Sequence, residues 1–238
     1  MKSFAKTLLN KATEPYRSAG RFAWHFARGK LSGDPVFAGL LELGAIENDA
    51  RVLDLGCGQG LLASWLSAAR QLYEAGQWHD TWPEPPRMKA YRGIELMPSD
   101  VQRARAVNAE NAEFVQGDIR NAEFGKVDTV VILDVLHYIK PEEQEHVLRR
   151  VREALLPSGK LVLRIGDAAG GLPFLYSKLV DLVVFFIRGH RIAKLHTRTL
   201  GEWRDLLTQM GFTVESMPMH KGTPFASTLL LASVSAQP

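Results

Sequence analysis

The sequence predicts an α/β fold: one three-layer α/β/α sandwich around a seven-stranded, mostly parallel sheet with an antiparallel C-terminal strand. Short apolar runs recur along the chain and suit strands that are buried on both faces of a parallel sheet. Amphipathic segments with helical spacing lie between these runs. The chain has 238 residues, of which 46% are hydrophobic, so it is long enough for one such domain with additions.

The clearest strand-to-helix junction lies at Arg51–Gly60, which reads RVLDLGCGQG. A short apolar strand ends there in three glycines at alternate positions, Gly56, Gly58 and Gly60, and helical spacing begins directly afterwards. Glycine adopts positive φ and lets a ligand approach bare backbone, and a helix N-terminus offers free N–H groups. Asp54 adds a carboxylate that would repel a pyrophosphate but would suit a cationic ligand.

This stretch resembles the first motif of class I S-adenosylmethionine-dependent methyltransferases, whose fold is Rossmann-like. Its pattern of an acid followed by glycines at every second position differs from the G-x-G-x-x-G pattern of dinucleotide-binding proteins. The resemblance implies that S-adenosylmethionine binds here and that S-adenosylhomocysteine (SAH) is the product. It also implies a cofactor at the carboxyl ends of the first three strands, with Asp54, the three glycines and Cys57 among its contacts.

Two later motifs resemble the same family. Glu95 stands at the tip of the second predicted strand, Ala90–Leu96, where an ionised acid can accept hydrogen bonds from both ribose hydroxyls. Leu96 is grouped with it as a cofactor contact. After the third strand, the resemblance implies that Asp118 reaches the adenine amino group and that Ile119 lies against the adenine face.

The fourth strand is predicted at Val127–Leu136, an almost continuously apolar run that resembles the fourth motif of family members acting on small molecules. Asp134 is grouped with the cofactor contacts. His137 is the predicted general base for a hydroxyl nucleophile, because imidazole has an unperturbed pKa near 6.5. The alternative is that His137 merely packs near the cofactor. His196 and His220 are weaker candidates for the base.

Capping signals and periodicity place the remaining elements. Asp34-Pro35 begins a helix that ends at Gly44. Three more helices follow from capping residues or an early proline: Val101–Asn108, capped by Ser99 or Asp100, then Pro141–Leu155 and Thr199–Met210. A turn at Leu156–Lys160 precedes the fifth strand. The last three strands are predicted at Leu161–Ile165, Phe212–Met219 and Ser227–Val234, and the final two form an antiparallel pair.

Two domains are predicted: a basic N-terminal helical cap at 1–33 and the methyltransferase-like domain at 34–238. The first 33 residues hold seven basic side chains and a single acid, Glu14, with aromatic residues interleaved. One interpretation is a cap that packs its aromatics on the domain. The other is contact with anionic lipid or an acidic acyl-carrier protein.

Two segments interrupt the regular alternation of strands and helices. The proline- and tryptophan-rich insertion at 76–89 is either a surface hairpin or a wall of the substrate pocket. The lid-like segment at 168–198 contains the large apolar run Leu172–Ile187. That run is either a buried helix or a lid over an apolar substrate.

Composition narrows the partners. The single cysteine excludes an internal disulfide and a cysteine-based zinc site, and no metal site is predicted. Neither a signal-like N-terminus nor a run of about 20 apolar residues is present in the sequence. We therefore expect a cytoplasmic protein, with peripheral contact to the inner face of a membrane as an alternative. The oligomeric state stays open.

The predicted function is S-adenosylmethionine-dependent methylation of a small apolar, aromatic or acyl-chain molecule, at oxygen. Methyltransferases that modify the exocyclic amines of bases carry an Asn/Asp-Pro-Pro-Tyr signature, and its absence argues against a nucleic-acid substrate. Two alternatives remain. One is an NAD-dependent oxidoreductase, and the other is a non-catalytic cofactor-fold protein that acts at a membrane surface or in a complex.

Overall fold

A computed structural model describes residues 2–107, 109–166, 195–219 and 227–234. The predicted lid-like segment lies outside the described residues except for its last four positions, and His220 lies outside them as well. The elements in the described ranges, in chain order, are α1 (Lys2–Thr13), a 3-10 turn (Glu14–Arg17), α2 (Arg21–Gly33), α3 (Pro35–Glu42), β1 (Arg51–Leu55), α4 (Leu61–Glu74), β2 (Ala90–Glu95), α5 (Pro98–Arg105), β3 (Ala112–Gln116), β4 (Val127–Leu133), a second 3-10 turn (Leu136–Tyr138), α6 (Pro141–Ala154), β5 (Leu155–Gly166), α7 (Leu200–Gln209), β6 (Phe212–Pro218) and β7 (Ser227–Val234).

The seven strands form one sheet in the order β3-β2-β1-β4-β5-β7-β6. β1 to β5 are parallel, and β7 runs antiparallel to both β5 and β6. This arrangement confirms the predicted fold class. Since β2 and β4 lie on either side of β1, the strand order reverses at β1. Open α/β sheets bind ligands at the carboxyl ends of the strands beside such a reversal.

Two separate hydrophobic clusters pack on the sheet. One contains the buried residues of α1 to α4, and the other contains those of α6 and α7. The capping box predicted for α7 is present, because Thr199 N donates to Glu202 Oε2 (2.7 Å) and Glu202 N donates to Thr199 Oγ1 (3.3 Å). Gly211 follows that helix with a φ of 82°, as expected for a helix C-terminus.

The predicted start of α5 was wrong. The helix begins at Pro98 with Met97 as its N-cap, and neither Ser99 nor Asp100 caps it. Proline suits the first helical position because its φ is preset and its missing N–H is not needed there. Asp100 instead lies buried in the first turn and accepts a hydrogen bond from Arg103 Nη1 at 2.8 Å.

The predicted limits of β4 and β5 also need correction. β4 ends at Leu133, because Asp134 adopts a φ of 59° and a 3-10 turn follows. The predicted turn at Leu156–Lys160 is part of β5. There the pairing shifts between Val127 and Thr129, which pair with Leu155 and Lys160. The extra residues bulge out of the ladder.

The N-terminal segment forms two helices, and α1 packs against α4. Several of its basic side chains are engaged within the protein. The guanidinium groups of Arg17 and Arg28 lie 5.2 and 5.1 Å from the ring centroid of Trp24. These contacts favour the helical-cap interpretation of residues 1–33. Contact with a lipid or a carrier protein stays a prediction. None of the described helices is long and apolar enough to cross a bilayer.

The insertion at 76–89 lies at the amino ends of the strands. Lys89 N donates to Ala50 O at 3.0 Å, directly before β1, and Asp49 N donates to Arg87 O at 2.8 Å. Trp78 packs edge-on against Phe4 of α1, with 5.3 Å between ring centroids. The glycine loop lies at the opposite end of β1. The structure therefore favours the surface interpretation of this insertion over a pocket wall.

Four charged side chains form a ring that joins the cap to the sheet, with Arg164 and Asp34 largely buried and Lys30 and Asp134 partly exposed. Arg164 of β5 is bound to Asp34, between α2 and α3, and its Nη2 lies 3.0 Å from Asp134 Oδ2. Lys30 Nζ of α2 lies 2.6 Å from Asp34 Oδ2 and 3.6 Å from Asp134 Oδ2. Burial alone would raise the pKa of Asp34, but Arg164 and Lys30 hold it below its ordinary value.

Asp34→Asn should lower the free energy of unfolding by about 2 kcal/mol, because the largely buried Arg164 loses one of its two carboxylate partners and keeps only Asp134. In the wild type Asp34 Oδ1 accepts a hydrogen bond from Val36 N at 3.1 Å. The side-chain oxygen of asparagine can accept the same bond, so the N-cap of α3 is preserved. Denaturant titration measures the loss. The control is Asp49→Asn, which breaks the exposed pair with Arg87 and should cost about 0.5 kcal/mol or less. Equal losses for the two variants would contradict this role of the ring.

Candidate functional site

The three glycines after β1 have left-handed backbone, with φ of 77°, 54° and 78° at Gly56, Gly58 and Gly60. A Cβ at Gly56 would lie 2.4 Å from the side chain of Val135, and one at Gly60 would lie 3.1 Å from Phe114. A Cβ at Gly58 would meet no described atom within 4 Å. Gly56 and Gly60 are therefore required by packing, whereas the bare backbone of Gly58 faces open space that a ligand could fill.

Glu95 connects the tip of β2 to this loop. Its Oε2 accepts a hydrogen bond from Gly58 N at 3.0 Å, and its Oε1 accepts one from Met97 N at 2.9 Å. Each carboxylate oxygen has a second lone pair, so Glu95 can still accept from hydroxyl groups. The neighbouring Leu96 is 54% exposed. An acceptor and an exposed apolar side chain thus stand together beside the open face of Gly58.

Asp54 and Cys57 lie beneath the loop. Asp54 is 4% exposed and accepts a hydrogen bond from the Tyr91 hydroxyl. Burial raises the pKa of Asp54 to about 7, the Tyr91 bond opposes the rise, and the charge of Glu95 adds to it. Burial also raises the pKa of the Cys57 thiol, so that side chain is neutral. The sequence predicts an ionised Asp54, and the structure instead gives a carboxyl that titrates near neutrality.

Asp118 follows β3 and is paired with Arg120, a partner that the sequence analysis did not predict. Asp118 Oδ1 accepts hydrogen bonds from the backbone N and from Nε of Arg120, both at 2.9 Å. Arg120 lowers the pKa of this carboxyl. Arg120 Nη1 also reaches Glu143 Oε1 of α6 at 2.7 Å. Ile119 is 7% exposed and packs in the second hydrophobic cluster. Contact of Asp118 and Ile119 with adenine stays a prediction.

Asp134 and His137 lie just past the end of β4. Asp134 belongs to the charged ring. Burial lowers the pKa of His137 to about 4, Asp134 opposes this shift, and Arg164 adds to it. His196, another candidate for the general base, lies next to His137, because His196 N donates to His137 O at 2.9 Å. His137 is therefore neutral at pH 7 and is a weaker base than the ordinary imidazole expected from the sequence.

Two further residues of the site come from the cap and the middle of the loop. The Tyr16 hydroxyl donates to Gln59 O at 3.0 Å, and Gln59 Nε2 donates to Ala23 O at 2.9 Å. Gln59 Oε1 is buried and receives no hydrogen bond from the described part of the chain. A buried acceptor of this kind, together with the open face of Gly58, fits a site that takes a polar ligand. No sequence signal marked Tyr16, because it is one aromatic among several in a basic segment.

Within the described ranges, no group of three or more His, Cys, Asp or Glu side chains is placed to hold a metal ion.

Comparison with known proteins gives a family. A family model described as a methyltransferase domain matches residues 23–217. The matched range begins inside α2 and leaves α1 and Tyr16 outside.

Curated relatives share part of this range. The carboxy-S-adenosyl-L-methionine synthase of Chromohalobacter salexigens is 32% identical over 119 residues, which make up 48% of this chain and 39% of that protein. The synthase of Erwinia tasmaniensis is 30% identical over 130 residues, 52% of this chain and 47% of that protein. The chain thus spans about half the length of the curated relatives it matches, or less.

Solved structures agree on the fold. A putative methyltransferase of Haloferax volcanii, in complex with the Trm112 methyltransferase activator, has a TM-score of 0.63 at 17% identity, covering 90% of this chain and 94% of that one. Magnesium protoporphyrin IX methyltransferase from Synechocystis, with bound SAH, has a TM-score of 0.58 at 20% identity, covering 93% and 94%.

Gly58→Ala should weaken the binding of SAH at least about 10-fold, because the new Cβ would enter the space that the loop leaves open. Isothermal titration calorimetry measures the affinity. Gly125→Ala is a matched control, since Gly125 has a φ of 71° and a Cβ there would also meet nothing within 4 Å. Both variants carry the same kind of backbone strain, and only the first should lose affinity. Equal affinities for SAH would place the ligand elsewhere.

Asp54→Asn should change how stability depends on pH. The folded-state pKa of Asp54 is raised from 3.8 to about 7. Between these two pH values the Asp54 carboxyl keeps its proton in the folded protein and loses it in the unfolded chain. Stability therefore falls as pH rises through this range, and asparagine, which can still accept from Tyr91, removes the effect. Relative to the wild type, the variant should gain roughly 1–4 kcal/mol between about pH 4 and about pH 8. Denaturant titrations across pH measure the gain, and parallel profiles would refute it.

Proposed function

The chain belongs to the methyltransferase domain family, and we propose that it transfers the methyl group of S-adenosylmethionine to a small organic substrate. The observation that carries this proposal is the glycine loop after β1, where the open face of Gly58 lies beside the Glu95 carboxylate. This pair stands where the strand order reverses, at the place where α/β sheets take their ligands.

The binding roles follow from the side chains present. Glu95 would accept hydrogen bonds from ribose hydroxyls, because an ionised carboxylate has only acceptors to offer. Leu96 and Ile119 would supply apolar contacts for the adenine ring, and Asp118 would accept from its amino group. Arg120 holds Asp118 in one orientation through the hydrogen bonds described above. The Asp118 side chain would therefore lose little conformational freedom when the cofactor binds.

The loop itself would hold the polar part of the cofactor. Gly56 and Gly60 shape the turn, and the uncharged Cys57 side chain fills the space beneath it. Gly58, which has no side chain, leaves open the space that the cofactor would occupy. Asp54 lies near its own pKa, so a positive charge placed close to it would favour its ionised form. When bound, the cofactor supplies a methyl group that its sulfonium already activates. The protein's main contribution is then to hold the two reactants in line.

The pKa of His137 narrows the substrate. A base with a pKa of about 4 gives little driving force for removing a proton from an aliphatic alcohol. An oxygen that is already ionised at pH 7, in a carboxylate or an acidic phenol, needs no base. We therefore assign methylation to an ionised oxygen of the substrate. Asp134 and the uncharged His137 would then shape the pocket wall at the end of β4.

An apolar substrate body is favoured by helix α2. This helix reaches Gln59 through Ala23 and reaches Asp134 through Lys30, so it runs along the carboxyl edge of the sheet. On it, Phe22 is 51% exposed and stacks on Phe26 with 6.1 Å between ring centroids. An aromatic or acyl-chain body beside an ionised oxygen fits this surface.

The test is incubation of the purified protein with methyl-labelled S-adenosylmethionine and a panel of aryl carboxylates, fatty acids, acidic phenols, aliphatic alcohols and amines. Mass spectrometry should show SAH together with a labelled methyl ester or aryl methyl ether, and Gly58→Ala should reduce the yield of both products when the cofactor is not saturating. Labelling of the alcohols or amines alone would overturn the ionised-oxygen assignment. A parallel incubation includes a carboxyl donor, and formation of carboxy-S-adenosyl-L-methionine there in place of SAH would overturn methyl transfer and point to the activity named for the curated relatives. A protein that binds SAH without methylating any member of the panel would support the non-catalytic alternative.

A further inference from the structure

We infer that the N-terminal cap is a working part of the cofactor site, in which Tyr16 and Gln59 are positioning residues that hold the glycine loop in its binding conformation. This inference rests on the proposed function for the identity of the ligand. The first part of this cap, including α1 and Tyr16, precedes residue 23 and lies outside the family match. The coupling is therefore argued from the contacts of this chain alone.

The first step is that the cap grips the loop at its centre. Gln59 stands between Gly58 and Gly60, and both its backbone and its side chain bond to the cap. Its carbonyl accepts from the Tyr16 hydroxyl at 3.0 Å, and its amide Nε2 donates to Ala23 O at 2.9 Å. The two cap residues come from different elements, the 3-10 turn and α2. Gln59 is thus held from two directions.

The second step is that these bonds are buried and hard to replace. Tyr16 is fully buried and Gln59 is 1% exposed. Burial raises the pKa of the Tyr16 phenol, so the hydroxyl keeps its proton and remains a donor. Removing that hydroxyl would leave the Gln59 carbonyl without this donor in a place that water does not reach readily. An unsatisfied buried acceptor is unfavourable, and a loop that can move will relax to recover part of that loss.

The third step is that relaxation at Gln59 would reach the ligand's space directly. The adjacent Gly58 is tied on its other side to the sheet, through Gly58 N and Glu95 Oε2 at 3.0 Å. The loop is therefore held between two anchors, Glu95 from β2 and Tyr16 from the cap. If one anchor is lost, the backbone of Gly58 and the Glu95 carboxylate shift together, and both belong to the cofactor site.

The experiment compares Tyr16→Phe with Phe4→Leu by calorimetric titration with SAH. Phe4 also belongs to the cap, but it packs at the far end of α1 on Trp78 and Trp82, with centroid distances of 5.3 and 5.4 Å. Both variants should lose thermal stability. Only Tyr16→Phe should weaken SAH binding, by about 3- to 10-fold, the equivalent of one net hydrogen bond. A role of Tyr16 in stability alone predicts unchanged affinity for both, and that result would overturn the inference.

Hydrogen exchange on the ligand-free protein gives a second readout that does not depend on the ligand. In Tyr16→Phe the amides of residues 56–60 should exchange faster, whereas in Phe4→Leu their exchange should match the wild type. Unchanged exchange in Tyr16→Phe would overturn the link between cap and loop. Failure of the wild type to bind SAH would instead overturn the proposed function, and the exchange comparison would still decide the link.

Discussion

The ring of Lys30, Asp34, Arg164 and Asp134 is the constraint on which the rest of the site depends. It pairs two cations with two carboxylates, and pairing matters most for Arg164 and Asp34, whose side chains are only 6% and 7% exposed. The ring takes one member from α2, one from the α2–α3 junction, one from the end of β4 and one from β5. Ion pairs of this kind add little net stability compared with apolar packing. Their contacts place the cap on the carboxyl edge of the sheet.

That position has consequences at both ends of helix α2. Near its start, Ala23 reaches the glycine loop through Gln59, and near its end Lys30 reaches Asp134. Asp134 has a φ of 59°, a conformation that costs free energy in a residue with a side chain and persists only when its surroundings hold it. The ring supplies that hold, and it thereby fixes the exit of β4 from which His137 follows. A single helix thus aligns the loop that would bind the cofactor with the turn that would face the substrate.

The parts of this design that depend on local chemistry could be predicted from the sequence. Local or periodic signals mark the positive φ at Gly56, Gly58 and Gly60, the capping box of Thr199 and Glu202, and the alternation of strands and helices that predicts a mostly parallel sheet. The start of α5 was missed because two capping signals competed with Pro98, and only packing decides between them. Three features of the site could not be predicted: the Asp54 pKa near 7, the low His137 pKa and the hydrogen bond from Tyr16 to Gln59. All three depend on residues that are far apart in the chain. Such effects come from burial and long-range contact, which residue spacing does not encode.

The site contains two ionisable side chains, Asp54 and His137, whose burial disfavours their charged forms. Burial keeps Asp54 close to half-protonated at neutral pH and keeps His137 unprotonated. Both groups therefore respond to charge brought by a ligand rather than carrying fixed charge of their own. A cation beside Asp54 would be met by a carboxylate that ionises as the ligand arrives, and it would offset the like charge of Glu95, which raises the Asp54 pKa. An anionic oxygen near the end of β4 would meet an uncharged imidazole and the balanced ring. The free protein thus stores less electrostatic repulsion than a site built from permanently ionised groups, and the ligands themselves complete the charge distribution that the reaction needs.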